Sequence, residues 1–394
     1  MKRFLLLLFL PMLACSRPPQ RPERAMEYAA LLRVGEDEII SVCPFDGTED
    51  TLRVTEPLGK VICMSTSHIA FLDAIGCDSV VCGVSGAAYV SSRMLRERFD
   101  AGLVYDVGYD QAPDYERIVA LQPDVLLAYR VSAAESPFLA KLSSLGVRVF
   151  TLYEFLEDHP LGRAEYIKAF GTMTGRRSLA DSLFAAIAND YNLIAKRIDD
   201  QIDYPQSKKI GVHAHSDSLS GLRGDSLNRD RRLSDMDQYY RSEDGYLDST
   251  VRIKVLMNIP YGDVWYVPGG ESYMARLVRD AGGEILGAKE GESQSRAITV
   301  EEAYVLSKEA DCWLNPGWCR SRRDLYASNP MFKNFRIPAI YNNTRRVTSG
   351  GGNDFWESGY VNPQVILKDL RTIFDAVKSG KSVSDSLYYY IEVK

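Results

Sequence analysis

The sequence predicts an α/β protein with two Rossmann-like lobes, each built on a parallel sheet and joined to the other by one long α-helix. Short apolar segments alternate with segments of helical periodicity before residue 178 and again after residue 250. That alternation is typical of parallel α/β sheets. A single long amphipathic segment separates the two blocks, and both blocks contain similar motifs in the same order.

The chain begins with a segment that resembles the signal peptide and lipobox of bacterial lipoproteins, residues 1–15. Two basic residues precede the apolar run 4–10, and Leu13-Ala14 stands directly before Cys15. This run is shorter than the about 20 apolar residues of a membrane-spanning helix. We expect cleavage before Cys15 and acylation of its thiol, which would attach the chain to membrane lipid. An ordinary signal peptide that happens to precede a cysteine is the alternative.

Composition narrows the class of protein. The 394 residues carry a formal net charge of −6, which argues against nucleic acid as a partner because nucleic-acid binders present a basic face. The length exceeds one hydrophobic core and predicts about two domains. No second apolar run has the length of a membrane span, so we do not expect a permease.

The cysteines leave disulfide bonds open. Six remain besides Cys15, and the pairs Cys77–Cys82 and Cys312–Cys319 are close enough in sequence to be joined in an oxidising compartment. No pair has the C-x-x-C spacing of a zinc site, so no metal site is predicted from them.

Residues 16–57 predict a tether followed by a small hairpin. Residues 16–25 are polar and proline-rich, which is typical of a flexible linker. The weakly alternating residues that follow contain the turn signal Asp46-Gly47 and predict two antiparallel strands.

The N-terminal α/β lobe is expected over residues 58–177. Its strands are short apolar runs, and its helices have apolar residues three or four positions apart. The predicted strands are 61–64, 80–84, 125–129 and 147–152. The predicted helices are 68–75, 116–121 and 136–145.

A linking helix and a polar insertion follow. Residues 178–204 have apolar residues at three- and four-residue steps, and Pro205 ends the pattern. Residues 205–250 are rich in Ser, Asp, Arg and Gly and predict a long insertion. Within it, His213 and His215 suggest a metal pair, but no third ligand is evident.

The C-terminal α/β lobe is expected over residues 251–380. Its predicted strands are 253–257, 264–267, 311–314 and 339–341. Its predicted helices are 272–281, 301–308 and 361–377. The helix that starts at Glu116 and the helix that starts at Glu301 are each followed by an aspartate and a buried strand. This echo indicates two similar lobes, with shared α/β sequence patterns as the alternative explanation.

These features together resemble the helix-linked substrate-binding proteins of ABC importers, which carry iron–siderophore complexes, haem or cobalamin. The strongest local matches are residues 61–68, 114–124 and 353–357, and the resemblance covers roughly residues 58–378. It implies ABC permease subunits in the inner membrane as partners, and a periplasmic location as a membrane-anchored lipoprotein. Residues 214–250 depart from the family pattern, because they are longer and more charged than the usual connection there.

The resemblance also implies a docking role for two glutamates. In this family a glutamate on the rim of each lobe meets arginines of the permease, and Glu116 and Glu301 stand at the matching positions. Rim charges of this kind steer an encounter and fix its orientation. The alternative is that each is a solvent-facing glutamate stabilised by the positive end of a helix dipole.

Candidate ligand-binding residues follow predicted strands, where ligands of open α/β sheets lie. Aromatic faces and cations suit a large flat metal complex. The candidates are His68, Tyr89, Tyr129, Arg130, Trp265, Trp318, Arg320 and Trp356. Trp265 and Trp356 are equally compatible with a place in the core, whereas Arg130 and Trp318 follow their strands closely.

The sequence thus predicts a lipid-anchored binding protein that captures an iron complex, a ferric siderophore or haem, between two lobes. No enzyme activity is predicted, because no nucleophile–base or paired-carboxylate arrangement stands out. No cofactor is expected apart from the transported small-molecule metal complex. Cobalamin as cargo, an extracytoplasmic enzyme such as a metal chelatase, and a structural lipoprotein without a ligand are the alternatives.

Overall fold

The computed structural model describes residues 26–134, 136–202 and 252–394. The predicted signal peptide and lipobox, Cys15, the tether of residues 16–25, and the insertion of residues 205–250 with its two histidines lie outside the described residues. None of the helices in the described ranges combines the length and hydropathy that crossing a bilayer requires.

A small antiparallel sheet precedes the first lobe. Its three strands are β1 (Leu32–Val34), β2 (Glu38–Val42) and β3 (Glu49–Arg53). The predicted hairpin corresponds to β2 and β3, and β1 was not predicted. Its three residues include Arg33 and so lack the continuous apolar run that identifies other short strands of this chain.

The first lobe is built on a five-stranded parallel sheet with strand order β10-β9-β4-β5-β6. A two-stranded hairpin, β7 with β8, follows the last strand of one edge. The strands are β4 (Val61–Cys63), β5 (Val81–Val84), β6 (Tyr105–Asp106), β7 (Gly108–Tyr109), β8 (Ala112–Pro113), β9 (Val125–Ala128) and β10 (Val149–Thr151).

Six helices surround this sheet. They are α1 (Thr66–Ala74), α2 (Arg93–Asp100), α3 (Tyr115–Leu121), α4 (Pro137–Ser144), α5 (Pro160–Glu165) and α6 (Ile167–Met173). The sequence did not predict α5 and α6. Every residue of these two helices is buried, so they lack the amphipathic periodicity that reveals a surface helix.

The linking helix is α7 (Arg177–Ile202). Its buried side includes Phe184 and Tyr191. The Tyr191 hydroxyl donates a hydrogen bond of 2.6 Å to the Asp280 carboxylate of the second lobe. The helix therefore contacts both lobes instead of only connecting them.

The second lobe is built on a sheet with strand order β14-β11-β16-β17-β18, in which only β18 is antiparallel. A separate antiparallel sheet contains β12, β13 and β15. The strands are β11 (Ile253–Met257), β12 (Pro260–Tyr261), β13 (Val264–Val267), β14 (Gly283–Ile285), β15 (Arg296–Ile298), β16 (Cys312–Leu314), β17 (Ala339–Asn342) and β18 (Ile391–Glu392). The sequence missed β14, because Gly282-Gly283 reads as a helix stop.

Five helices complete the second lobe. They are α8 (Tyr273–Asp280), α9 (Val300–Leu306), α10 (Arg322–Ser328), α11 (Ser358–Val361) and α12 (Pro363–Ser379). Short 3₁₀ turns occur at Asp78–Val80, Ala87–Tyr89, Glu154–Leu156, Pro330–Asn334, Asp354–Trp356 and Ser384–Ser386.

The two central sheets follow the same path through their lobes. The order β10-β9-β4-β5 in the first corresponds strand by strand to β17-β16-β11-β14 in the second. In each lobe the chain passes from the first strand through a helix to a neighbour on one side, then crosses to the other side. The predicted fold class is confirmed, and the echo between the two blocks of sequence reflects this common topology.

Candidate ligand-binding site

The carboxyl ends of strands from the two lobes approach each other. The segment after β5, residues 85–92, contacts the segment after β17, residues 343–357. The Thr348 hydroxyl donates a hydrogen bond of 2.9 Å to the carbonyl of Ala88. The amides of Ser91 and Ser92 donate to the Glu357 carboxylate at 2.7 and 2.8 Å. Ligands of α/β sheets bind beyond the carboxyl ends of their strands, so this meeting place is the candidate site.

A pair of tyrosines forms the first-lobe side of the site. The rings of Tyr89 and Tyr109 pack edge to face with centroids 6.1 Å apart. They lie over Gly86, where a Cβ atom would fall 2.6 Å from the Tyr109 ring and 2.8 Å from the Tyr89 ring. Because Gly86 also has a φ of 68°, a glycine is needed here for both backbone and packing reasons. Each tyrosine is more than 40% exposed.

Asp106 holds the two tyrosine-bearing loops in place. Its carboxylate accepts hydrogen bonds from the amides of Gly86, Ala87 and Gly108 at 3.2, 2.8 and 2.9 Å. Partial desolvation, with Tyr89 and the Asp106 charge adding to it, raises the pKa of Tyr109. The sequence pointed to Tyr89 but not to Tyr109, since no local pattern shows that two separate loops meet on one glycine.

Tyr129 and Arg130 follow β9 and are partly buried. The Tyr129 ring packs edge-on against Phe155 at 6.1 Å, and burial, with the Asp110 charge adding to it, raises the pKa of Tyr129. The Arg130 guanidinium donates to the carbonyl of Ala133 at 2.8 Å. Part of its hydrogen-bonding capacity is therefore used within its own loop.

The second-lobe side carries exposed aromatic rings. Tyr261 is 87% exposed, Trp318 is 66% exposed and Tyr266 is 45% exposed. Trp318 follows β16 through Gly317, where a Cβ atom would lie 2.5 Å from the side chain of Ile259. The loop that carries Trp318 is thus packed against the segment between β11 and β12. Arg320, two residues further on, is exposed.

The structure corrects two of the predicted ligand contacts, because His68 and Trp265 are completely buried. The His68 Nε2 atom lies 3.4 Å from the Glu154 carboxylate, which also accepts a 2.6 Å hydrogen bond from the Ser67 hydroxyl. The Trp265 indole donates to the carbonyl of Met257 at 2.8 Å. Both side chains serve the interior of a lobe and present no atom to a ligand.

Trp356 is partly buried and partly exposed. It is 39% exposed, and its ring packs edge-on against Phe355 at 4.6 Å and Tyr360 at 6.2 Å. One part of the indole supports the lobe interior and another part is accessible.

Glu116 and Glu301 occupy equivalent positions. Each is the second residue of its helix, α3 or α9, and each is exposed. The neighbouring Asp114 is paired with Arg117 at 3.3 Å, and the neighbouring Glu302 with Arg296 at 3.1 Å. Within the described ranges, neither Glu116 nor Glu301 makes an ion pair, so both carboxylates face solvent.

The described cysteines and acidic groups form no metal centre. The six cysteines within the described residues are free thiols, so neither Cys77–Cys82 nor Cys312–Cys319 is joined. Among residues 26–134, 136–202 and 252–394, no three or more His, Cys, Asp or Glu side chains are arranged to hold a metal ion.

Sequence comparison relates this chain to one protein family and to two lipoproteins. The profile of the family described as "Periplasmic binding protein" matches residues 61–222. An uncharacterized lipoprotein of Methanocaldococcus jannaschii is 24% identical over 350 residues, which are 86% of this chain and 70% of that protein. A second uncharacterized lipoprotein of that organism is 26% identical over 200 residues, 47% of this chain and 50% of that protein.

Solved structures share the fold. A periplasmic heme binding protein from Pseudomonas aeruginosa matches with a TM-score of 0.53 and 17% identity, over 86% of this chain and 98% of that chain. An ABC-type Fe3+-hydroxamate transport protein from Saccharomonospora viridis matches with a TM-score of 0.51 and 15% identity, over 84% and 98%. The family match and the two-lobed fold together confirm the predicted resemblance of this chain to periplasmic binding proteins.

Proposed function

We propose that this chain is the substrate-binding protein of an ABC importer and that it binds an iron complex, a ferric siderophore or haem, between its lobes. The observation that carries the proposal is the set of accessible aromatic rings at the strand ends of both lobes. These rings are Tyr89, Tyr109, Tyr261, Tyr266, Trp318 and Trp356. Contiguous exposed apolar patches on soluble proteins mark places that a ligand or partner covers, whereas single exposed rings are common.

The chemistry of these side chains suits the proposed ligand. Aromatic faces stack on flat ligands and bury a large apolar area at little cost in side-chain entropy. Phenol oxygens such as those of Tyr89 and Tyr109 are hard donors of the kind that ferric iron accepts. Arg320 supplies an exposed cation for ligand carboxylates. One structural neighbour is a periplasmic heme binding protein and another belongs to an Fe3+-hydroxamate transport system, which agrees with this class of ligand.

The proposed mechanism is capture and delivery without a chemical step. The lobes enclose the complex, and Glu116 and Glu301 then bring the loaded protein onto basic sites of the permease. Acylation of Cys15 would keep the protein at the outer face of the inner membrane, in the periplasm. The lipoprotein relative supports this anchoring.

Ligand titration tests the proposal. The purified chain is titrated with haemin, a ferric hydroxamate siderophore and cyanocobalamin, with binding followed by calorimetry and products by mass spectrometry. We expect saturable binding of one of the iron complexes with the ligand recovered unchanged. Exclusive binding of cyanocobalamin would assign a corrinoid instead, and a chemically altered ligand would indicate an enzyme.

Variants tie the binding to the candidate site. Tyr89→Ala combined with Trp318→Ala should weaken binding by about tenfold or more, since each lost ring contact is worth about 1 kcal/mol. Leu193→Ala is the control, because Leu193 is 52% exposed on α7, which carries none of the candidate ligand contacts. An equal loss of affinity in the control would remove the site assignment.

A further inference from the structure

One segment of the second lobe packs closely against one loop of the first lobe. We call this contact the interlobe clasp: it consists of residues 348–357 of the second lobe and residues 88–92 of the first. The contacted residues of the first lobe include Tyr89, the accessible tyrosine of the candidate site. This contact is additional to the covalent connection of the two lobes through α7.

Glu357 forms the hydrogen-bonded half of the clasp. Its side chain is only 2% exposed, and both carboxyl oxygens accept hydrogen bonds from backbone amides of the other lobe, Ser91 at 2.7 Å and Ser92 at 2.8 Å. Ser92 is the N-cap of α2. Glu357 therefore accepts hydrogen bonds at the N-terminus of a helix, where backbone amides have no partner within the helix.

Two glycines form the close-packed half of the clasp. A Cβ atom on Gly352 would lie 1.8 Å from the carbonyl oxygen of Tyr89, and one on Gly350 would lie 2.3 Å from that of Ala88. Neither glycine has a positive φ, so the backbone conformation does not explain them. The approach of the other lobe does explain them, and the Thr348 hydroxyl adds a hydrogen bond to the Ala88 carbonyl there.

We propose that Glu357 is a positioning residue for the ligand site, which together with Gly350 and Gly352 fixes the loop that carries Tyr89 to the second lobe. The loop is then held in its binding geometry only while the lobes are together. Opening of the clasp releases the loop, weakens the hold on the ligand and couples release to lobe separation. The ligand readout rests on the proposed function, whereas the contact itself does not.

Hydrogen exchange of the ligand-free protein tests the contact directly. Glu357→Gln replaces one acceptor oxygen by an amide group that opposes the donating backbone. We expect amide exchange at Ser91 and Ser92 to accelerate at least tenfold. Unchanged exchange at these two amides would overturn the proposal.

Asp369 provides a matched control. Its fully buried carboxylate accepts the amides of Tyr388, Tyr389 and Tyr390 within its own lobe. Asp369→Asn should accelerate exchange at residues 388–390 and leave Ser91 and Ser92 protected. If it exposes Ser91 and Ser92 as strongly as Glu357→Gln does, the effect is general loosening and the proposal fails.

A second variant tests the clasp without changing Glu357. Gly352→Ala forces the two backbones apart, and Gly59→Ala is its control because the nearest atom to a Cβ there is 3.8 Å away. We expect Gly352→Ala to enlarge the radius of gyration in solution scattering and to raise the haemin dissociation rate at least fivefold. Wild-type values for both quantities would overturn the proposal.

The two readouts separate this inference from the proposed function. Accelerated exchange in Glu357→Gln combined with no binding of haemin, ferric siderophore or cyanocobalamin by the wild-type chain upholds the clasp and removes the proposed function. Tight haemin binding by the wild type with unchanged exchange and unchanged release in both variants removes the clasp and upholds the proposed function.

Discussion

At the scale of single residues, Glu357 combines deep burial with a titratable charge. Burial raises its pKa to about 8, and Asp354 adds to the rise, while the Ser91 and Ser92 amides oppose it. Asp354 is itself paired with Arg346 at 2.6 Å. Asp73 of α1 is the other charged group nearby, and it accepts a hydrogen bond from the Ser92 hydroxyl.

The raised pKa predicts that lobe contact depends on pH. When the clasp opens, Glu357 enters water and its pKa returns towards the usual value near 4.5. The closed state binds the proton more tightly, so it is most favoured below the ordinary pKa and loses stability as pH rises through about 8. Solution scattering between pH 5 and 9 should show the lobes separating towards high pH. Glu357→Gln should remove this dependence, and an identical pH profile in that variant would contradict the prediction.

Two tryptophans with the same predicted role should behave differently. Trp265 is fully buried and stacks on Trp313 at 5.8 Å, so Trp265→Ala should lower the free energy of unfolding by about 3–5 kcal/mol. Trp318 is 66% exposed, so Trp318→Ala should change stability by less than about 0.5 kcal/mol and weaken ligand binding. Urea unfolding and calorimetry measure the two effects. A stability loss of similar size in both variants would show that Trp318 belongs to the core.

At the scale of secondary-structure elements, α3 and α9 present the two proposed docking glutamates in the same register. Each helix begins one residue after its capping side chain, Asp114 or Thr299, and so places its glutamate in the first turn. The dipole of each helix stabilises the carboxylate there without a partner cation. Two docking charges must be exposed and must lie at matching positions of the two lobes, and both glutamates meet these conditions.

Charge reversal tests the docking pair. Glu116→Lys combined with Glu301→Lys should abolish uptake by cells while ligand affinity stays unchanged, because neither glutamate is among the proposed ligand contacts. Glu56→Lys combined with Glu290→Lys changes the net charge equally at two other exposed positions and should leave uptake intact. Normal uptake by the first double variant would contradict the docking assignment.

Sequence patterns predicted these elements unevenly. The linking helix and the strands β4, β9 and β16 were recognisable because period and length identify them. The helices α5 and α6 were not, because burial on every side removes the contrast between faces. The strand β13 was recognised but assigned to the wrong sheet, since alternation of side chains does not reveal the strand's partner.

At the scale of the whole molecule, the described parts of the lobes contact each other at several places. The clasp is one, the hydrogen bond of 2.6 Å from the Ser293 hydroxyl to the Asp158 carboxylate is another, and a third lies beside α7. There the Arg163 guanidinium lies 3.7 Å from the Tyr273 ring centroid and 4.7 Å from that of Tyr360. Arg163 comes from the first lobe and is 8% exposed, while both tyrosines belong to the second. Contacts at several places restrict the lobes to small relative motions.

The contribution of the Arg163 cation–π contacts to stability can be measured. Arg163→Ala should lower the free energy of unfolding by about 2 kcal/mol, the value of a desolvated cation–π contact, and should broaden the distribution of lobe distances in solution scattering. Lys308 lies 3.8 Å from the Tyr304 ring centroid on an exposed helix face, so Lys308→Ala should cost about 0.5–1 kcal/mol at most. Equal effects of the two substitutions would show that Arg163 does not join the lobes.

The candidate site was only partly predictable. Tyr89, Trp318 and Arg320 were predicted because they follow strands that the sequence indicated. All three are exposed, and their contact with a ligand stays a prediction. His68 and Trp265 follow or occupy such strands as well, yet the fold turns them inward, to Glu154 and to the aromatic core. The position of a residue along a strand fixes which sheet edge it is near, but not which side of the loop faces solvent.

The sequence by itself determined the two lobes and the helix between them, because periodicity and motif order are properties of a linear chain. The class of protein was inferred from the resemblance of its motifs to a known family. Only the tertiary structure decided which aromatic residues are accessible, that Gly86 brings Tyr89 and Tyr109 together, and that Glu357 holds Ser91 and Ser92 across the lobe interface. These features depend on contacts between segments far apart in the chain. Such contacts are set by how whole elements pack, and no local pattern of residues encodes them.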